Sequence, residues 1–173
     1  MTDRLPSLIA ATKLLSSKPT WVKSGDQINL VTALEIDGAT VMGLRFRIRC
    51  SREYSNRNVT FQIEFLFKGF KLVPVTRLDW RPFNLHQNSN IGPAEWRLCR
   101  LPGSHLHGFQ DNFDWMMASG LSAPDFAEKN LPIAVPLDTE PATFEGVAVE
   151  AGRLFNIQGL AAVPAPPWEP RLL

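Results

Sequence analysis

The chain has 173 residues, 45% of them hydrophobic and 20% charged, with a formal net charge of +1; these proportions fit one compact globular domain and exclude a disordered or collagen-like chain. A charge so near neutral excludes the global field that drives indiscriminate binding to nucleic acid or membranes, so an anionic partner must be met by a local patch. Met1 to Lys18 interrupts its apolar residues with Asp3, Arg4, Pro6, Thr12 and Lys13, unlike a secretory signal, and no stretch reaches bilayer-spanning length; a cytoplasmic location without a membrane partner is expected.

From Leu5 to Ser17 apolar residues recur at steps of three and four, which predicts an amphipathic helix stopped by Ser16, Ser17 and Pro19. Gln27 to Ile36 and Thr40 to Cys50 read as strands joined by Asp37-Gly38, a dipeptide suited to a tight hairpin turn because both positions tolerate positive φ. In the second strand Leu44, Phe46, Ile48 and Cys50 alternate with Arg45, Arg47 and Arg49, so one face is core and the other wet. Val59 to Lys68 alternates in the same way, with Phe61, Ile63, Phe65 and Phe67 inward and Thr60, Gln62 and Glu64 outward. Lys71 to Trp80 continues less cleanly, Leu72, Thr76, Leu78 and Trp80 opposing Val73, Val75, Arg77 and Asp79; Pro74 cannot donate a ladder hydrogen bond, which predicts an edge or a bulge.

A polar loop from Pro82 to Pro93 leads to short strand candidates at Glu95 to Cys99 and Ser104 to Phe109. Helical spacing then marks Ser122 to Leu131 and Thr139 to Asn156. Strands first and helices last predict an α+β fold: an antiparallel, meander-like sheet of about five to six strands, with an N-terminal helix and C-terminal helices on one side and the other side open. Residues 1–163 form the single domain and 164–173 a Pro-rich tail. Cys50 and Cys99 form no C-x-x-C pair and read as reduced thiols.

All three histidines fall between His86 and His107. His105 and His107 are separated by one apolar residue, so on a strand both imidazoles point to one face while Leu106 points to the core. Arg77, Asp79 and Arg81 alternate on the preceding strand, and His86 with Asn88 follows in the loop. Were these segments neighbours, they would supply the parts for phosphodiester chemistry: His86, His105 and His107 as acid and base, and Asp79 to orient a ring or raise its pKa. Arg77, Arg81 and Asn88 would hold the phosphoryl charge, and Arg45, Arg47 and Arg49 would track a phosphate backbone. The plainer alternative is a solvated polar sheet face, with Glu64 as a cross-strand partner of the arginines. A third reading is a divalent transition metal on His86, His105 and His107. No Glu follows the pair closely, as a cupin requires, and Phe109 stands where a histidine-triad hydrolase has its third His. H-E-x-x-H, Walker, G-x-G-x-x-G and G-x-S-x-G motifs are missing.

The order Arg77-x-Asp79, His86-x-Asn88, Gly103-x-His105-x-His107, Trp115 and Leu154-Phe155-Asn156-Ile157 resembles an uncharacterised family of small bacterial and mobile-element proteins over about residues 75–157. More loosely it is similar to the TumE-like toxins of toxin and antitoxin pairs, from which it departs in having Trp80 after Asp79 and no nearby Tyr, and in its extra N-terminal hairpin. That similarity implies a toxin-like activity. The first expectation is therefore a protein that binds RNA or a phosphorylated ligand on its His/Arg face and cleaves it as a cofactor-free, ribonuclease-like hydrolase. The second is a non-catalytic or antitoxin-like accessory with a protein partner. The third is the metal site.

Overall fold

The structure, a computed structural model, describes residues 4–67, 72–121 and 129–170. Its centre is an eight-stranded antiparallel sheet. After helix α1 (Leu5–Ala10) come β1 (Leu14–Leu15), β2 (Trp21–Ser24), β3 (Gln27–Ile36), β4 (Ala39–Ser51), β5 (Val59–Leu66) and β6 (Leu72–Trp80). The short strands β7 (His86–Gln87) and β8 (Arg100–Leu101) make a separate two-stranded ladder. β9 (His105–His107), α2 (Phe109–Ala118), β10 (Val135–Pro136) and α3 (Phe144–Phe155) complete the order. In the main sheet the sequence of neighbours is β1, β3, β4, β5, β6, β9 and β10, with β2 also pairing with β3.

The β3–β4 hairpin turns at Asp37 (φ 51°) and Gly38 (φ 76°), the conformation that a two-residue turn needs if it is to follow the twist of its strands. Leu44, Phe46, Ile48 and Cys50 of β4 and Phe61, Ile63 and Phe65 of β5 are buried on one face. That face is covered by α3, whose Phe144 stacks on Phe61 at 5.8 Å between centroids and whose Phe155 meets Phe46 edge-on. Thr143 caps α3 by accepting a hydrogen bond from the Gly146 amide at 3.1 Å, and Asn156 ends it in the left-handed region.

Several local expectations change. The first helix stops at Ala10, and Leu14–Leu15 joins the sheet beside β3. Lys13 is drawn inward, its ammonium donating to the Ile9 and Ala11 carbonyls at 2.6 Å each, and so it satisfies the orphan acceptors of that short helix. Pro74 lies beside a bulge, where the register with β5 shifts between Ile63 and Glu64, and on the part of β6 that β9, paired with Arg77–Asp79, does not reach. The extra residue resets the alternation, so Val73, Thr76, Leu78 and Trp80 are all buried and Arg77 and Asp79 face away from them. Glu95 to Cys99 is a single 3-10 turn (Ala94–Trp96) and an irregular link. Phe109–Ala118, where the spacing predicts only the end of a strand at Phe109, is helix α2, with Phe109, Asn112 and Met116 on its buried face. The helix expected at Ser122–Leu131 lies mostly outside the described residues.

The Pro-rich segment is extended, as expected, but docked. The Trp21 indole donates to the Pro164 carbonyl at 2.9 Å, Trp168 meets Phe144 edge-on, and Glu169 pairs with Lys23 and Arg52. Among the described residues no helix is long and apolar enough to cross a membrane.

Candidate functional site

Register across four strands builds the site. On the face away from α3, Arg49 of β4 lies opposite Thr60 of β5, Thr60 opposite Asp79 of β6, and Asp79 opposite His105 of β9. The adjacent row is Arg47, Gln62, Arg77 and His107. Strands lie about 4.8 Å apart, so two parallel rows of polar side chains run from a guanidinium on β4 to an imidazole on β9. His86 reaches the same place from β7, its ring centroid 5.0 Å from that of His105 and 4.8 Å from that of His107, with 5.2 Å between His105 and His107. The convergence expected of the three histidines is present; their solvent exposure is not. His105 is 2% exposed and His107 0%, β10 pairing with β9 and the Leu131 carbonyl meeting the His107 ring, and only His86 is half-buried.

Each imidazole is oriented through one nitrogen by an oxygen that can only accept. His105 Nδ1 donates to the Gly103 carbonyl at 2.8 Å, and His107 Nδ1 donates to the Leu131 carbonyl at 2.6 Å. The Asn88 amide nitrogen is committed to the Ala134 and Trp96 carbonyls at 2.7 and 2.9 Å. Its Oδ1 therefore accepts from His86 Nε2 at 3.0 Å. This bonding leaves the neutral rings with lone pairs on His86 Nδ1, His105 Nε2 and His107 Nε2. Each ring contributes a nitrogen to a group whose members lie within 4.8 Å of one another.

Asp79 Oδ2 sits 3.5 Å from His105 Nε2 and 3.4 Å from His107 Nε2. Arg77 Nε donates to Oδ2 at 2.9 Å and Thr60 to Oδ1 at 2.8 Å. Burial alone would raise the Asp79 carboxyl, but Nε2–H donation from His105 and His107, made when those rings are protonated, and the Arg77 charge hold it well below the usual carboxylate range. Arg77 also donates to His107 Nε2 at 2.7 Å. Burial first, then this guanidinium, push His107 down to about 4; Asp79 pulls the ring upward, as expected of it, but is outweighed. His86 is lowered mainly by burial.

A cavity of about 510 Å³ opens onto the group; Arg47, Arg49, Thr60, Arg77, Asp79, His86 and His105 are in its wall. The remaining expected site residues stand apart. Arg81 pairs with Glu140 at 3.0 Å and lies against Trp80. Arg45 is consumed by the buried Glu64, which also takes Arg47 Nη1 at 3.2 Å, so the cross-strand pairing expected of Glu64 is present. Asn88 is buried and acts through His86 and through the chain at Ala134 and Trp96. The sequence reading did not assign roles to Thr60 or to the Gly103 and Leu131 carbonyls; Thr60 carried a signal in its outward alternation, whereas a backbone oxygen carries none.

The molecule is thus an α+β protein with an antiparallel sheet and a histidine cluster beside a carboxylate and a guanidinium. Comparison with protein-family models, curated proteins and solved structures finds no match.

Proposed function

We propose that the protein binds a divalent transition metal through His86, His105, His107 and Asp79 and uses that centre, with the neighbouring arginines, to take a phosphate-bearing ligand. The reading rests on one observation: three imidazoles, each oriented through one nitrogen by an acceptor-only oxygen, bring ring nitrogens within 4.8 Å of one another beside the Asp79 carboxylate, and a metal would take the His107 Nε2 lone pair that Arg77 now meets at 2.7 Å. Carbonyl or amide oxygens behind ligating histidines are the usual means of fixing tautomer and direction at metal sites. The 3.4 and 3.5 Å separations of Asp79 Oδ2 from two ring nitrogens suit donors about 3.3 Å apart around tetrahedral zinc, a spacing set by bonds of about 2.0–2.1 Å. Three neutral imidazoles and one carboxylate favour zinc, iron or copper over calcium or magnesium. A metal there would supply Lewis acidity toward a phosphoryl oxygen, while Arg77 holds Asp79 ionised and adds charge beside it.

The test is metal content. Protein dialysed against Zn²⁺ or Co²⁺ and then desalted should retain about one ion per chain, Co²⁺ giving the intense visible bands of a low-coordinate site, and His105→Gln or Asp79→Asn should weaken retention by about tenfold or more. A folded protein that retains no transition metal overturns the reading.

One contact favours a second reading, cofactor-free cleavage by acid and base. Arg77 occupies the His107 Nε2 lone pair, which leaves His86 as the accessible ring. Cleavage of RNA that persists in EDTA and is lost in His86→Ala would select it.

A further inference from the structure

We infer that the ligand of this cavity is single-stranded nucleic acid, bound with one phosphate toward the histidine group, a neighbouring phosphate on Arg49 and a base against Phe83. The inference names the ligand of the site proposed above and shares its premise that the cavity is a binding site.

Three independent features point to it. The first is charge. Asp79 is matched by Arg77, and Glu64 by Arg45 and Arg47. Arg49 also lines the cavity, is exposed, and makes no ion pair or side-chain hydrogen bond among the described residues. An uncommitted guanidinium in the wall of a concave site is a receptor for an anionic oxygen.

The second feature is length. Arg49 is two strands away from Asp79 in the same cross-strand row, about 10 Å between backbones. A single phosphate at the histidine group does not also satisfy Arg49; a strand with successive phosphates does.

The third is the rim. Phe83 and Tyr54, 43% and 51% exposed, meet edge-on at 4.8 Å, and Arg57 lies over the Phe83 ring at 5.2 Å. Their chain neighbours Pro82, Asn84 and Asn58 line the cavity, as does half-exposed Leu85. Exposed aromatic rings with arginines along a cationic groove are the parts that hold unpaired bases and their backbone. Because His105 is almost wholly buried in the cavity wall, a duplex cannot bring a phosphate down to it, whereas a flexible single strand can.

The experiment measures binding of a fluorescently labelled uridine decamer to the whole protein by anisotropy, with bound metal measured on the same samples. Saturable binding is expected, weakened at least about fivefold by Phe83→Ala and about tenfold by Arg49→Glu, with a salt slope reduced by about one in Arg49→Ala. Both positions are exposed, and circular dichroism confirms that the variants are folded. A uridine dinucleotide that retains its 5′-phosphate should compete, and uridine monophosphate should compete far more weakly. The inference is overturned if the decamer does not bind, if neither substitution matters, or if the mononucleotide or a duplex binds as well as the single strand. Metal retained without strand binding sinks this inference alone; strand binding without metal sinks the metal reading alone.

Discussion

Asn112 and Asn88 brace the site from behind its histidines. Asn112 on α2 donates to the Ile133 carbonyl and accepts from the Ile133 amide at 2.9 and 3.0 Å, and Asn88 makes the same pair of bonds to Ala134. Side-chain amides thus take the place of a neighbouring strand and hold residues 133–134, two residues beyond the Leu131 carbonyl that orients His107. Replacing a buried partner leaves polar backbone unsatisfied at about 1–3 kcal/mol per group. Asn112→Ala is therefore expected to destabilise the fold by about 2–4 kcal/mol in urea titrations and to weaken metal retention, because the His107 ring loses its fixed direction. This arrangement was not legible in the sequence. That His105 and His107 share one face, and Arg77 and Asp79 another strand's face, follows from alternation, but their meeting needs the β6–β9 pairing, and the burial of both rings depends on two asparagines gripping a segment with no period of its own.

Among the secondary-structure elements, the β3–β4–β5 meander was the most readable part of the chain, since Asp37-Gly38 and the strict alternation of Leu44 to Cys50 and Phe61 to Phe67 leave one register and one inward face. Irregular positions were the least readable. Gly43 adopts φ +81° within β4, and a Cβ there would meet the Leu66 Cβ at 3.1 Å. It lies where the β3–β4 register jumps between Ala33 and Glu35, a bulge that periodicity cannot announce. Gly43→Ala should lower stability by about 1–3 kcal/mol by combining a left-handed backbone with a close contact; an unchanged denaturation midpoint would contradict this. Helix α2 was missed for a related reason. Its inward residues include polar Asn112, while Gln110, Asp111 and Asp114 dilute the apolar stripe. The Pro74 bulge was half legible, because proline reports an interruption in the ladder and not which of the permitted irregularities resolves it.

For the whole molecule, the segment from Pro164 to Pro170 closes the core. Pro166 is buried and Trp168 packs against Phe144, while Cys50 lies underneath, its thiol pushed up to about 12 by burial against an opposing contact with Trp168. Removal of residues 164–173 is expected to cost about 2–4 kcal/mol through the lost aromatic packing, whereas Glu169→Gln, which breaks only exposed ion pairs, should cost under about 1 kcal/mol. A thiol reagent near pH 8 should label Cys99 in the native protein and spare Cys50, which becomes reactive in the truncated chain. The raised pKa also fixes a sign. The protonated thiol is favoured in the fold, so its contribution is complete below pH 9, the ordinary value, and is lost as pH rises toward about 12. Equal labelling of both cysteines in the intact protein would show that the strap does not seal the core.

That strap has a bearing on vectorial synthesis. The histidine, carboxylate and arginine segments lie between Arg47 and Leu131, so all of them leave the ribosome before Trp168 does. A nascent chain can accordingly hold every ligand-facing group while its hydrophobic interior still lacks a lid, and those are the moments at which a chaperone, or an early-bound ion, would matter most to its yield.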